Sequence, residues 1–151
     1  MISILQTYSI MLLRSLGYTL ILTVLALVFA MIIGLIFALC NVSRIKVLNI
    51  LGTIYVDAIR GVPLIVLAFF IYFGIPQAFR LLGINNFRLP ALQAGTIALS
   101  MNCGAYMAEI FRAGIQSIDK GQMEASRSLG LSYSTTMKCV ILPQAFRVMV
   151  P

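Results

Sequence analysis

Apolar residues along the chain fall into long runs that are separated by short polar segments. Gly17–Cys40 forms the first run and is almost wholly apolar; a second lies between Arg60 and Arg80, and a third is Leu89–Ala108. About twenty apolar residues at about 1.5 Å each span a hydrocarbon core of about 30 Å. The pattern therefore predicts three membrane-spanning helices, the second beginning near Ile50, and an all-α polytopic membrane protein.

The first run has an alternative interpretation as the apolar part of a cleaved signal peptide. No early basic cluster precedes it, and it is longer than the usual apolar region of such peptides. Residues 37–40 are only weakly similar to a lipoprotein cleavage site, because Leu39 is large where a small residue is needed. We therefore expect a retained helix.

Composition supports a lipid environment and excludes several kinds of chemistry. Of 151 residues, 61% are hydrophobic and 10% are charged, whereas soluble domains are about a quarter charged. The chain has no His and only 4 acidic residues, so metal clusters, catalytic triads and most acid–base pairs lack their components. The 3 cysteines have no CxxC spacing and are interpreted as small apolar residues. We expect neither an enzyme nor a bound metal.

Basic residues predict how the runs are oriented. The formal charge of +7 would suggest nucleic acid as a partner of a soluble protein, but here the basic residues lie between apolar runs, and no nucleic-acid partner is expected. The side that carries more Lys and Arg is cytoplasmic, which places residues 110–138 in the cytoplasm and the N-terminus outside. The richer side has Arg44, Lys46, Arg60, Arg112, Lys120, Arg127 and Lys138; the other has Arg14, Arg80 and Arg88.

The segment after the third run contains signals for a short helix with defined ends. Asp119 is a good N-cap, and a glutamine three residues later completes a capping box. Gln122–Leu129 suits a helix, and Gly130 is the residue expected in a left-handed conformation just after it. Ser132 or Ser134 can cap the next helix. From capping alone, a docking element and a solvated connector are equally supported.

The same segment resembles the EAA signature of ABC-transporter permease subunits. It carries Glu124-Ala125-Ser126, then Gly130, then Val140-x-Leu142-Pro143. Further matches are similar to polar amino-acid permeases in particular, and they occur in order along most of the chain. These are Arg60-Gly61-Val62-Pro63-Leu64, Ser100-Met101-Asn102-Cys103-Gly104-Ala105-Tyr106, Glu109-Ile110-Phe111-Arg112-Ala113-Gly114-Ile115, Gly121-Gln122 and Gln144-Ala145.

The resemblance implies the permease fold of type I ABC importers, here one domain over 1–151 with about three full transmembrane helices. It also implies a cytoplasmic coupling helix in a loop at about 117–138, and the start of a further helix. Two permease subunits would line a path for a polar amino acid across the bacterial cytoplasmic membrane, an extracytoplasmic binding protein would deliver it, and separate ATPase subunits would drive transport. The chain has no G-x-x-x-x-G-K-[ST] motif, so ATP-Mg would bind the ATPase partner and no cofactor would bind this chain.

The resemblance also implies roles for individual residues of the coupling loop. Glu124 would contact polar groups of the ATPase or cap the helix, the small Ala125 and Ser126 would permit close approach, and Gly130 would permit the turn. Leu142-Pro143 would set the start of the next membrane helix. The implied coupling set is Gly121, Gln122, Glu124, Ala125, Ser126, Gly130, Leu142 and Pro143.

The chain also departs from the family pattern in a few places. Ser126 stands where Ala is usual, Val140 where Ile is usual, and Asp119 where a Pro is common. Permeases of the family have about five spans and continue after this proline, so a truncated, non-transporting permease fragment is the alternative interpretation. A membrane enzyme or a channel is disfavoured by the missing acid–base residues and by the coupling-type helix.

Polar groups inside the runs are candidates for the substrate path, because such groups are costly in lipid. Asp57, Ser100 and Asn102 are the candidates, and Asp57 would suit a cationic or zwitterionic amino acid. A structural explanation competes with each one. Asp57 and Arg60 have the i,i+3 spacing of an ion pair, as do Glu109 and Arg112, and Asn102 could hydrogen-bond a neighbouring helix.

Overall fold

The computed structural model describes residues 2–43, 45–84 and 86–149, with side chains from Tyr8 onward. The regular secondary structure in these residues is helical. This confirms the all-α prediction. Arg44, one of the basic residues used for orientation, lies outside the described residues. The α-helices are α1 (Ile2–Val42), α2 (Lys46–Gly61), α3 (Leu64–Phe69), α4 (Ile75–Leu81), α5 (Ala91–Gln116), α6 (Lys120–Ser128), α7 (Tyr133–Thr136) and α8 (Leu142–Met149), with π-helical turns at Phe70–Gly74 and Met137–Ile141.

Two stretches among the described residues are long and apolar enough to cross a membrane, Tyr8–Val42 and Leu64–Leu81. They correspond to the first and second predicted runs. The third predicted run, Leu89–Ala108, lies mostly within α5, which continues eight residues further, to Gln116. This helix is long enough but less apolar, because residues such as Thr96, Ser100 and Asn102 interrupt it. This difference follows from its position, since α5 packs against α1, α2, α3 and α8 at the centre of the molecule.

The second run does not form one helix from Ile50, as the sequence pattern suggested. A separate helix, α2, covers Lys46–Gly61, and α3 begins only at Leu64. Between them Val62 is extended (φ −104°, ψ 128°) and Pro63 precedes the first residue of α3. The break has a local cause: proline disfavours a helical conformation for the residue before it and has no N–H to continue the hydrogen-bond ladder.

Helices α1 and α5 cross at small residues and run parallel. A Cβ added at Gly34 would lie 2.7 Å from the Cβ of Met107, and one added at Gly104 would lie 3.1 Å from the Cβ of Ile33. Side chains at every fourth position of α1 therefore let the two backbones approach, as in small-residue crossings of membrane helices. These positions are Ala26, Ala30, Gly34 and Ala38, all buried.

The parallel crossing brings the C-terminal ends of α1 and α5 together at one end of the molecule. Val42, near the end of α1, packs with Ile115, near the end of α5, in a cluster that also includes Met137 and Ile141. The loops after α1 and after α5 therefore lie at the same end, where α6 packs against the helical segment that begins at Tyr133. This arrangement agrees with the prediction that both basic loops share one side.

The last helical segment begins ten residues before Pro143, at Tyr133, and Ser132 caps it by accepting the Thr135 N–H at 3.1 Å. Pro143 therefore lies inside a continuous helical segment, and the predicted cap at Ser132 is confirmed. Within that segment α8 begins at Leu142, where the resemblance places the start of a helix. The π-helical turn Met137–Ile141 immediately precedes the proline. Because proline cannot donate to the ladder, a wider turn before it is one way for the helix to continue.

Candidate functional site

Helix α6 begins at an aspartate cap. The Asp119 carboxylate accepts the Gly121 N–H at 2.6 Å, and the Asp119 carbonyl accepts the Gln122 N–H at 3.1 Å. A Cβ at Gly121 would lie 2.7 Å from Asp119 Oδ1, so the absence of a side chain at this position leaves room for the cap. The predicted N-cap is confirmed. The helix is Lys120–Ser128, which starts two residues and ends one residue earlier than predicted.

The capping box predicted with Asp119 does not form. The Gln122 side-chain oxygen is instead within 3.5 Å of the Gln144 amide nitrogen on α8, which also donates to the Val140 carbonyl at 3.0 Å. The reason is tertiary: packing places α8 beside the first turn of α6, so a distant amide is available to Gln122. The capping-box rule takes account only of residues that are close in the sequence.

The other end of α6 is closed by a glycine in the left-handed region. Gly130 has φ +83° and donates its N–H to the Arg127 carbonyl at 3.0 Å, while the Leu131 N–H donates to the Ser126 carbonyl at 3.2 Å. This pair of bonds is the Schellman motif. The Arg127 guanidinium adds a bond of 3.0 Å to the Leu131 carbonyl. The predicted role of Gly130 in the turn is confirmed.

The two faces of α6 differ in what they contact. Met123 packs on the cluster around Ile115, and Ser126 is buried and donates its hydroxyl to the Gln122 carbonyl at 2.7 Å. The small side chain of Ser126 therefore fits the packing inside this chain. Glu124 and Ala125 are exposed, as is Leu129, whose side chain is 82% exposed.

The remaining two residues of the coupling set lie apart from the exposed face of α6. Leu142 is half-buried and packs on the same cluster as Met123, and Pro143 is exposed on the last helical segment. Gly121 and Gln122 thus lie in the first turn of α6, and Gly130 closes its C-terminal end. Leu142 packs on the buried side of this helix.

A polar cleft of about 360 Å³ opens between α2 and α5. It is lined by four charged side chains, and its remaining wall is mostly amide and hydroxyl groups from α1, α2 and α5. The charged residues are Asp57, Arg60, Glu109 and Arg112, and the neutral polar ones are Asn41, Asn49, Thr53 and Gln116.

Only one of the two predicted ion pairs forms among the described residues. Glu109 and Arg112 pair through both carboxylate oxygens, and Arg112 also donates to the Gln116 amide oxygen at 2.8 Å. Arg60 instead places its guanidinium carbon 5.2 Å from the centre of the Tyr106 ring, a cation–π distance. The expected Asp57–Arg60 pair is therefore wrong, because the neighbouring helix offers Arg60 an aromatic ring.

The structure separates the three substrate-path candidates. Asp57 lines the cleft, whereas Ser100 is 3% exposed and donates its hydroxyl to the Thr96 carbonyl at 2.6 Å. Asn102 is partly exposed and lies two residues along α5 from Ser100, hence on a different face. It has the seven-residue spacing from Glu109 that puts both on one face of a helix. Of the three candidates, Asp57 lines the cleft directly, Ser100 is turned into the helix packing, and Asn102 lies on the α5 face that carries Glu109.

Sequence reasoning missed the α1 wall of the cleft. Asn41 is 8% exposed, its carbonyl accepts the Asn49 side-chain amide, and its own Oδ1 has no hydrogen-bond partner. It also missed Gly52, where an added Cβ would lie 2.0 Å from the Asn41 Oδ1. An isolated amide at the end of an apolar run was the available signal. Among the described residues, no group of three potential metal ligands lies together.

Comparison with known proteins agrees with these features. Residues 30–151 match the family model described as binding-protein-dependent transport system inner membrane component. The chain is 44% identical to the probable glutamine ABC transporter permease protein GlnM of Bacillus subtilis (strain 168), covering 89% of this chain and 59% of the relative. It is 45% identical to the L-cystine transport system permease protein TcyB of the same organism, covering 89% and 54%.

A solved structure described as an amino acid ABC transporter with histidines has the same fold, with a TM-score of 0.81 and 40% identity over 97% of this chain and 65% of that chain. The chain spans between 54% and 61% of the length of these and other curated relatives, among them the arginine permease ArtQ of B. subtilis. The family match covers most of the chain and the identities are high. The chain belongs to the family of binding-protein-dependent transport system inner membrane components.

Proposed function

We propose that this chain is part of the permease subunit of an ABC importer that moves a polar amino acid across the bacterial cytoplasmic membrane. A second permease subunit completes the path, an extracytoplasmic binding protein delivers the substrate, and separate ATPase subunits supply energy. In this proposal the chain is not itself an enzyme and binds no cofactor, and ATP-Mg is held by the ATPase.

The observation that carries this proposal is the outer face of α6. Both ends of the helix are closed by specific hydrogen bonds, at Asp119 and at Gly130, and one face is packed on the molecule. The opposite face presents Glu124, Ala125 and Leu129 to the surroundings. A rigid helix with a small residue flanked by an acid and an apolar side chain suits a partner surface better than it suits a solvated connector.

The class of substrate follows from the relatives. Their names specify glutamine, L-cystine and arginine, all polar amino acids. The charged cleft beside Asp57 supports a zwitterionic or cationic substrate, and Ser100 and Asn102 remain predicted path residues. Nothing in the described residues requires the alternative of a non-transporting fragment.

The proposed orientation has the N-terminus outside and α6 in the cytoplasm. The parallel arrangement of α1 and α5 supports it, since Lys46 and Lys120 then lie at the same end. Leu82 follows the end of the second span, has a side chain that is 77% exposed, and provides a position for comparison at the opposite end.

Cysteine labelling in intact cells tests this orientation. In a background with Cys40, Cys103 and Cys139 replaced by Ser, Lys120→Cys should resist an impermeant maleimide, whereas Leu82→Cys should react. Labelling of both after permeabilisation controls for accessibility. Reaction at Lys120→Cys and protection at Leu82→Cys in intact cells would reverse the topology.

The coupling role is tested by adding bulk to the outer face of α6. Ala125→Arg places a long charged side chain in the proposed contact and should cost about 3 kcal/mol of docking energy through overpacking and unpaired charge. Glu124→Ala removes a charge-assisted contact of about 1.5–3 kcal/mol. The measurement is substrate-stimulated ATP hydrolysis and uptake by the assembled transporter in proteoliposomes.

A matched control is Ala91→Arg, the same substitution at an exposed alanine at the start of α5, the end of that helix away from α6. Complexes with Ala91→Arg should keep the substrate-stimulated ATP hydrolysis of the wild type. If Ala125→Arg complexes also show full stimulation and uptake, α6 is a solvated connector and the proposal loses its main support.

A further inference from the structure

We propose that the polar cleft between α2 and α5 is a binding station for the two charged groups shared by all α-amino acids. Arg60 binds the carboxylate and Asp57 binds the ammonium group. This inference rests on the proposed function and deepens it, because it assigns the recognition of the substrate backbone to a place and to two residues.

The charges of the cleft support this assignment. Glu109 and Arg112 form a close ion pair. Arg60 also attracts the Glu109 carboxylate, from beyond ion-pair distance, and Asp57 is the other anion of the cleft. Arg60 contacts the Tyr106 ring and has no hydrogen-bond acceptor among the described residues. Asp57 is exposed, lines the same cleft, and has no ion pair in the described part of the chain.

The spacing of these two groups fits a zwitterion. Residues three apart on a helix are neighbours, with Cβ atoms about 5–6 Å apart. Arg60 and Asp57 could therefore have paired with each other, but the structure holds the guanidinium over Tyr106 instead. The result is an anion site and a cation site side by side. An arginine is also the residue best suited to bind a carboxylate through two hydrogen bonds.

The remaining wall suits a polar side chain. The cleft measures about 360 Å³, which lies within the roughly 300–1,000 Å³ of small-molecule sites. Asn49, Thr53 and Gln116 line it, as does Asn41, which is 8% exposed and whose side-chain oxygen has no donor. The Asn41 oxygen is covered by Gly52, where an added Cβ would lie 2.0 Å from it. The polar groups left for a substrate side chain are therefore those of Asn49, Thr53 and Gln116.

The position of the cleft is consistent with a station on a path. Tyr106 is ten residues before the end of α5, so Arg60 lies about 15 Å from that end. Charged side chains at that depth are costly and in membrane proteins face a cavity or a partner group.

Equilibrium binding to the permease–ATPase complex in lipid nanodiscs tests the proposal. The binding protein is left out, because it would recognise the same groups. The probes are radiolabelled L-glutamine, L-arginine and L-cystine, and the one that the wild-type transporter takes up is carried forward. Arg60→Gln and Asp57→Asn should each weaken its binding at least tenfold, and Arg60→Lys should weaken it less. Arg14→Gln, an exposed arginine on α1, should bind as the wild type does.

Analogues separate ligand binding from a structural role. The wild type should bind the free amino acid at least tenfold more tightly than its α-carboxamide, and Arg60→Gln should lose that preference. Asp57→Asn should likewise lose the preference over the N-acetyl derivative. A residue that only holds α2 against α5 would weaken all ligands equally and leave both preferences unchanged, and that result would overturn the proposal.

The two proposals fail in different ways. A wild-type transporter that takes up none of the probes with ATP contradicts the proposed function, and the station falls with it. A transporter that takes up a probe while Arg60→Gln and Asp57→Asn keep wild-type binding contradicts the station alone. Uptake without any saturable binding in nanodiscs also overturns the station.

Discussion

Helix α6 and the crossing of α1 with α5 both depend on glycine, for different physical reasons. Gly130 has φ +83°, and a Cβ added there would meet nothing within 4 Å. Gly34 has an ordinary helical backbone, but an added Cβ would lie 2.7 Å from the Met107 Cβ and 3.2 Å from the Ala108 backbone nitrogen. The first glycine supplies a backbone conformation, and the second supplies space.

The difference determines what each region tolerates. At Gly130 the cost of a side chain is local and falls on one turn, since no neighbour has to move. At Gly34 a side chain would push α1 and α5 apart, and these two helices also form the packing surface of α2 and part of the cleft wall. Substitutions at these glycines should therefore separate loss of coupling from loss of the fold.

The largest effect is expected at the crossing. Gly34→Val should destabilise the folded permease by about 3 kcal/mol, because backbone atoms of α5 cannot yield to the new side chain. Thermal unfolding in detergent, followed by the loss of the monodisperse peak in size exclusion, measures the change.

Gly17→Val is the matched control for that experiment. Gly17 is on the same helix, and nothing lies within 4 Å of an added Cβ. Its unfolding temperature should stay close to that of the wild type. Equal destabilisation by both substitutions would mean that valine disfavours α1 itself and that the crossing does not depend on close approach.

Much of α6 could be predicted from the sequence because its ends are set by neighbouring residues. Asp119 bonds to a backbone group two residues away, and the bonds around Gly130 span at most five residues. Such interactions depend on short spacing, which a sequence displays directly. The capping box predicted at Gln122 does not form for the converse reason: the partner of Gln122 is Gln144, which is 22 residues away and cannot be recognised from local spacing.

The cleft could not be predicted in the same way. The i,i+3 rule gave the Glu109–Arg112 pair but failed for Arg60, whose partner Tyr106 comes from another helix. That contact requires the register of α2 against α5, which the break at Pro63 and the crossing at Gly34 determine together. Hydrophobic runs predicted where most helices lie, yet they contain no information on that register.

An intermediate effect is expected at the end of α6. Gly130→Ala should destabilise the turn by about 1–2 kcal/mol, the cost of a left-handed conformation for a residue with a Cβ. ATPase association, measured by co-purification, should weaken, while unfolding of the membrane helices should change little.

Gly61→Ala supplies the comparison for Gly130→Ala. Gly61 also has open space around an added Cβ, and its φ is not in the left-handed region. Its ATPase association should stay at the wild-type level. Normal association of Gly130→Ala with the ATPase would show that the Schellman turn does not position α6 for docking.

The smallest effect is expected at the start of α6. Asp119→Ala removes the acceptor for the Gly121 N–H and should cost about 1 kcal/mol of local helix stability. Hydrogen exchange of the amides at residues 121–123 should therefore accelerate by about fivefold, which is that energy expressed as an opening constant. Amides of α5 should exchange as before.

Asp119→Asn distinguishes capping from charge. An asparagine accepts the same hydrogen bond and is as good an N-cap as aspartate, so exchange at residues 121–123 should stay near the wild-type rate. If Asp119→Asn accelerates exchange as much as Asp119→Ala, the contribution of Asp119 is its charge at the positive end of the helix. The start of α6 would then weaken at high salt, whereas the two backbone hydrogen bonds of the turn at Gly130 do not depend on charge. The two ends of one short helix would then be stabilised by different interactions: charge at Asp119, and mainly backbone hydrogen bonds at Gly130, where the Arg127 guanidinium adds a single charged contact.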